Sequence, residues 1–160
     1  MKLSLTHKLL AQMPLSTDEL QVLLGSAEAL RRAAAAGIEQ PLLRGKNIAV
    51  LCNQADCAAA EAFTRAATRL GARVARISPD TALQRGEADA ERDTARLLGR
   101  LYDAVECDEL PDEVVHRLQR SIGVPVYNGL ARRDHPLQRQ LPAEADPDYV
   151  LQALLVATLA

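Results

Sequence analysis

The sequence predicts an α/β fold, a three-layer sandwich of helices around a four-stranded parallel sheet. Short apolar runs alternate with longer segments of helical period, the pattern of strand–helix repeats. One run, Ile48-Ala49-Val50-Leu51-Cys52, is apolar without a break, which marks a strand buried on both faces. The chain has 160 residues and is 48% apolar, enough for one domain with a proper core and too apolar for global disorder.

Residues 1–14 carry leucines without a firm period and end at Pro14. Ser16-Thr17-Asp18-Glu19 is a helix start, with a hydroxyl cap and acids in the first turn. Leu20, Leu23, Leu24, Ala27 and Leu30 recur at helical spacing until Gly37 stops the helix. Ile38–Gly45 is a connector containing Pro41, and the first strand follows. Asn53-Gln54-Ala55-Asp56 breaks that strand with turn and N-cap residues, and a helix runs from Cys57 to Leu70, closed by Gly71.

Val74-Ala75-Arg76-Ile77 is the second strand, and residues 79–90 read as a polar loop. The next helix covers about Ala88 to Leu101, with Ala95, Leu97, Leu98 and Leu101 expected to face inward. Ala104-Val105 marks a third strand. Pro111 opens a helix with Asp112 and Glu113 in its first turn and Val114, Val115 and Leu118 on its apolar face. Val124-Pro125-Val126-Tyr127 is a fourth strand, placed at a sheet edge by its proline. Asn128-Gly129-Leu130 leads into a basic loop, Arg132-Arg133. A short helical segment begins near Pro136, and Asp146-Pro147-Asp148 caps a last helix, Tyr149–Leu159.

Composition narrows the function. Aromatic residues are confined to Phe63, Tyr102, Tyr127 and Tyr149, so the core is built from Leu, Val, Ile and Ala. A net charge of −2 makes no electrostatic case for nucleic acid or an anionic membrane. No apolar run approaches the ~20 residues needed to span a bilayer, and polar residues interrupt the N-terminal segment before a signal-peptide core forms. Cys52, Cys57 and Cys107 do not form a secreted disulfide framework, so a cytoplasmic location is expected.

A strand running directly into a helix N-terminus aims free backbone N–H groups at one point above the sheet edge, where open α/β folds place ligands. Here that point lies at Asn53–Cys57.

Glu39-Gln40-Pro41-Leu42-Leu43-Arg44-Gly45-Lys46-Asn47-Ile48-Ala49 is similar to the approach to the first strand in ornithine carbamoyltransferases, and Gly71-Ala72-Arg73-Val74 to a later block of that family. Asp93-Thr94-Ala95-Arg96-Leu97-Leu98-Gly99-Arg100-Leu101-Tyr102-Asp103 is closer still. Val124-Pro125-Val126-Tyr127-Asn128-Gly129-Leu130 followed by His135-Pro136-Leu137-Gln138 resembles the end of the family's carbamoyl-phosphate domain. The blocks lie in family order from about Ser16 to Gln138. The resemblance implies one carbamoyltransferase N-domain-like unit over 1–160, with an extra C-terminal helix at about 148–159.

The departures bear on activity. The family grips phosphate with a Ser-Thr-Arg-Thr-Arg loop, which falls here on Asp56-Cys57-Ala58-Ala59-Ala60. Both arginines are alanine and the leading serine is aspartate. A further family arginine, which contacts the carbamoyl group, falls on Asp108. His135 and Gln138 survive; in the family these side chains approach the carbamoyl carbonyl and amide. The family's amino-acid-binding domain is expected to be missing, because the chain ends at Ala160.

Carbamoyl phosphate is a dianion, and each charge-assisted contact to it is worth about 1.5–3 kcal/mol. Three lost arginines and two gained carboxylates outweigh a helix N-terminus, which supplies about 0.3–1 kcal/mol. The resemblance therefore implies a stand-alone, degenerate domain acting in binding or oligomeric assembly, with no catalytic residue assigned. The alternative is a partial carbamoyltransferase completed in trans by another chain. The family's trimers imply a homo-oligomer, or mixed association with a full-length carbamoyltransferase.

Other residues carry competing readings. His135 suits a ligand, and equally a buried helix cap with one hydrogen bond. Cys52, Cys57 and Cys107 all end near the same sheet edge as His135, and three thiols with an imidazole make a tetrahedral zinc set. Against this, no Cys-x-x-Cys pair is present and small buried cysteines are common in α/β cores. The expectation is therefore no metal and no cofactor, with a metal- or small-molecule-binding sensor as a further alternative. Cys57 alone could be a reactive thiol at a helix N-terminus, opposed by Asp56 and Asp108. Arg132-Arg133 reads as an anion patch or as solvated surface, and Asp93/Arg96 as a surface ion pair.

Overall fold

Four parallel strands lie in the order β2-β1-β3-β4, with β1 at Asn47–Leu51, β2 at Arg73–Ile77, β3 at Ala104–Cys107 and β4 at Val126–Asn128. This is a computed structural model, and it describes residues 2–38, 40–53 and 57–160. The helices are α1 (Lys2–Leu10), α2 (Thr17–Ala35), α3 (Ala58–Arg69), α4 (Thr81–Gln84), α5 (Ala88–Leu101), α6 (Asp112–Ser121), α7 (Pro136–Gln140) and α8 (Pro147–Leu159). The expected α/β sandwich around a four-stranded parallel sheet is the observed architecture.

Side-chain alternation along β1 divides the core into two layers. Ile48 and Val50, continued by Cys52, pack with α1, α2, α3 and α8. Ala49 and Leu51 pack on the other face with α5 and α6, through Leu98, Val114, Val115 and Leu118. The continuous apolar run in the sequence is thus a central strand whose two faces each meet a helical layer.

Local chemistry sets the helix ends. Ser16 accepts the Glu19 amide hydrogen while the Glu19 carboxylate accepts from the Ser16 amide, a complete capping box on α2. Asp146 caps α8 through the Asp148 amide, and Pro147 occupies the first turn. Helix α8 buries Val150, Leu151, Ala153, Leu154, Leu155 and Leu159 and packs against α1, α2 and α3. Such a helix, apolar on most sides, is a core element.

Four expectations are corrected. The N-terminal leucines form α1, whose Leu5 and Leu9 join the core. The loop at 79–90 contains α4, capped by the Asp80 carboxylate on the Leu83 amide. On α5 only Ala95 and Leu98 are buried, and Leu97 and Leu101 remain 58% and 56% exposed. The cause is Gly99: a Cβ there would lie 2.5 Å from the Ile122 carbonyl oxygen, so this side of α5 is pressed against the end of α6. Residues 95, 98 and 99 share that side, which turns 97 and 101 outward. Finally, β3 runs on through Glu106 and Cys107, and β4 begins at Val126. Pro125 still precedes an edge strand, and its carbonyl accepts from Val105.

Among the described residues no helix is long and apolar enough to cross a membrane.

Candidate functional site

The C-terminal ends of the strands collect the chemistry-bearing residues. Cys52 follows β1, Asp108 and Glu109 follow β3, and the segment from Gly129 to His135 follows β4. Helix α3 begins beside them, with Cys57 itself as N-cap; its sulfur accepts a long hydrogen bond from the Ala60 amide at 3.5 Å. Asp56, expected near the cap, lies outside the described residues.

Ala58, Ala59 and Ala60 make the first turn of α3. Ala58 is exposed, and Ala60 is fully buried in the layer containing Phe63 and Leu70. Alanine at these positions supplies only a methyl group where the resemblance implies a guanidinium fork.

Asp108 is the most consequential side chain. It is only 6% exposed, its backbone amide donates to Leu51 at 3.1 Å, and both carboxylate oxygens are buried without a hydrogen-bond partner. Burial pushes its pKa up to about 6, against the attraction of Arg132 and Arg76. Next to it, Glu106 is fully buried and accepts from the Gly129 amide at 2.6 Å and the Leu130 amide at 3.1 Å. Burial and the neighbouring Asp108 raise its carboxyl well above the usual range.

His135 caps α7, with Nδ1 accepting from the Leu137 amide at 3.2 Å; its Nε2 is buried without a partner. Burial, and secondarily Arg132, lower its pKa to about 4, so the imidazole is neutral near pH 7. Gln138 donates a long bond of 3.4 Å to the Leu130 carbonyl. The expected ligand pair therefore also serves as turn and helix-cap structure. Arg132 pairs with Asp134 at 3.2 Å, and Arg133 is exposed.

The cysteines do not assemble as expected. Cys107 pairs in register with Leu51 and shares its face, inside the layer with Leu110 and Val114. Cys52, one residue beyond Leu51, belongs to the opposite layer. Strand alternation therefore separates them. Among the described residues, the group with metal-ligand spacing is Cys52, Cys57 and Glu109, with neither Cys107 nor His135 included.

Three acids, Glu106, Asp108 and Glu109, and two guanidinium groups, Arg76 and Arg132, set the electrostatics of this edge. The orphaned Asp108 oxygens and the neutral His135 suit a hydrogen-bond donor or a cation, and oppose a dianion. Sequence reading missed Glu106, Glu109 and Arg76. A charged residue inside the apolar run Ala104–Cys107 was the available signal for Glu106. A separate cleft of about 670 Å³, lined in part by Arg44, Arg69, Gly71 and Gln152, opens where β1 and β2 begin, at the other end of the strands.

Comparisons with known proteins converge on one family. The profile of the aspartate/ornithine carbamoyltransferase carbamoyl-P binding domain matches residues 7–141. Ornithine carbamoyltransferase of Cutibacterium acnes is 42% identical over 77% of this chain and 36% of the relative. Catabolic ornithine carbamoyltransferase 1 of Staphylococcus epidermidis is 43% identical over 75% of this chain and 36% of its own length. Among solved structures, ornithine carbamoyltransferase from Pyrococcus furiosus superposes with a TM-score of 0.61 at 29% identity, covering 70% of this chain and 36% of that one. The chain thus spans a little over a third of the curated relatives it matches, in the part that carries their carbamoyl-phosphate domain. The match runs through the strands, through Asp108 and through His135 and Gln138, and on this basis the chain belongs to the aspartate/ornithine carbamoyltransferase family.

Proposed function

We propose that this chain is a degenerate carbamoyl-phosphate domain that performs no carbamoyl transfer by itself and acts in binding or oligomeric assembly. The observation that carries the reading is Asp108, a buried and unpartnered carboxylate where the family resemblance expects an arginine. A phosphate dianion at this edge meets Asp108 and Glu109, and the three guanidinium forks that the resemblance expects at 58, 60 and 108 are replaced by alanine and aspartate. Ala58 and Ala60 support the same conclusion, because neither offers a charge or a hydrogen-bond donor from its side chain.

Transfer chemistry also needs the developing charge neutralised and the acceptor amine oriented. Nothing among Ala58, Ala59, Ala60 and Asp108 supplies that charge. The proposed partners are further copies of this chain, as a trimer by resemblance, or a full-length carbamoyltransferase.

The test is calorimetric titration with carbamoyl phosphate, with inorganic phosphate as control, followed by a citrulline assay with ornithine. The expected result is no heat at millimolar ligand and no citrulline. Binding selective for carbamoyl phosphate would overturn the loss of the site. Citrulline formed only on mixing with a catalytically silenced full-length carbamoyltransferase would establish completion in trans instead.

A further inference from the structure

We propose that Cys52, Cys57 and Glu109 form a binding site for one zinc ion at the corner between β1 and α3. The three ligand atoms lie within 4.8 Å of one another. The Cys52 sulfur and the Glu109 Oε1 are 3.7 Å apart. A tetrahedral zinc with Zn–S near 2.3 Å and Zn–O near 2.0 Å sets sulfur and oxygen about 3.5 Å apart, and two sulfurs about 3.8 Å apart. The Cys52–Glu109 spacing already matches the tetrahedral value, and the Cys57 sulfur lies within 4.8 Å of both, a distance that side-chain rotation closes.

The surroundings hold each ligand in place. The Asn53 amide donates to Glu109 Oε2 at 2.8 Å, which ties one carboxylate oxygen and leaves the other facing Cys52. The Ala60 amide donates to the Cys57 sulfur, and Arg76 Nη2 lies 3.9 Å from the Cys52 sulfur. Contacts of this outer kind orient metal ligands and support thiolate charge. Cys52 is buried at 5% exposure while Cys57 and Glu109 are half-buried. Two thiolates and one carboxylate select a borderline-soft cation over magnesium or calcium. Three protein ligands leave the fourth position for water or another small donor.

The charge of the edge favours the same occupant. Asp108 brings a further buried carboxylate near Glu109, and its oxygens have no partner. A divalent cation beside this acidic group relieves the repulsion that would exclude a phosphate. The site stands independently of the proposed loss of carbamoyl phosphate binding, since zinc uptake and heat of ligand binding are separate measurements.

The experiment uses the whole chain, purified without a metal-affinity tag, reduced and stripped by chelator. Zn²⁺ is titrated against a chromophoric chelator, and Co²⁺ is added separately to read thiolate-to-cobalt charge transfer in the near ultraviolet. One equivalent of zinc and a thiolate–cobalt band are expected. Cys57→Ser keeps a good helix cap and should fold, yet show at most about half of the band and bind zinc at least about tenfold more weakly. Glu109→Gln should weaken zinc by a similar factor while retaining the thiolate band. Cys107→Ala, on the opposite face of the sheet, should bind as the parent does. Uptake of less than about a tenth of an equivalent, or zinc affinity unchanged in Cys57→Ser, overturns the proposal.

Discussion

The hydroxyls of Tyr127 and Thr158 lie 2.6 Å apart, joining the edge strand β4 to the last helix α8 in the buried layer. Thr158 also donates to the Leu154 carbonyl within its helix, so the tyrosine is held by a group that is itself fixed. Burial pushes the Tyr127 hydroxyl pKa up, keeping it a hydrogen-bond donor at any ordinary pH. Tyr127→Phe removes this link with little change in volume. It should cost about 1 kcal/mol in chemical denaturation, and Thr158→Val should cost a similar amount without adding to it in the double variant.

Helix α8 covers the layer formed by α1, α2 and α3. Ending the chain after Pro142 would uncover Phe63, Leu23 and Tyr127, all buried against or near this helix. The expected outcome is aggregation in light scattering and loss of a cooperative melt. A soluble, cooperatively melting truncation would show that α8 is dispensable to the core.

Asp108 and His135 should oppose each other in the dependence of stability on pH. The Asp108 carboxyl is raised from 3.8 to about 6 in the folded chain, so between those values the folded state holds more protons than the unfolded one. Its contribution to stability is therefore lost as pH rises through that range. His135 is lowered from 6.5 to about 4, so the unfolded state holds more protons there and stability rises with pH. Relative to the parent, which shares the raised Glu106 carboxyl, Asp108→Asn should gain stability with rising pH between about pH 4 and 6, by on the order of 2 kcal/mol. His135→Asn, which keeps a helix-cap residue, should lose stability relative to the parent between about pH 4 and 6.5. Denaturant midpoints at a series of pH values check both slopes, and identical slopes in the two variants would refute the assignment.

Both Glu106 oxygens accept backbone amides in the core, and glutamine keeps one of these acceptors while turning its Nε2 hydrogens on the other amide. Glu106→Gln should cost about 1–2 kcal/mol. Glu106→Ala leaves a cavity and strands the Leu130 amide, while Gly129 keeps a second acceptor in the Cys107 carbonyl. It should cost about 2–4 kcal/mol. Equal denaturation midpoints for the two variants would contradict this account.

Much of the candidate site was legible in the sequence because strand-to-helix corners are local. The run Ile48–Cys52 followed by a helix at Cys57 placed the ligand edge, and the resemblance placed Ala58, Ala60, Asp108, His135 and Gln138 on it. Glu109 and Arg76 were not legible. They reach Cys52 from residues 57 and 24 positions away in the chain, and no spacing within one element encodes such contacts. The zinc grouping weighed as an alternative, Cys52, Cys57, Cys107 and His135, does not assemble for a related reason. Its members end at one sheet edge, but strand register sends Cys107 to the α6 side and Cys52 to the α3 side.

By itself the sequence determined the alternation of strands and helices, the capped helix starts at Ser16 and Asp146, the opening of α6 by Pro111, and the edge position of the strand that follows Pro125. Those features depend on side-chain period, hydrogen-bonding caps and the missing proline N–H, all of which act between near neighbours. Only the tertiary structure decided that Leu97 and Leu101 face outward, that Asp108 is buried without a partner, and that Cys52, Cys57 and Glu109 converge. Each of these follows from how separate elements approach one another, as Gly99 against Ile122 illustrates, and close packing between distant segments is settled only when the whole chain has folded.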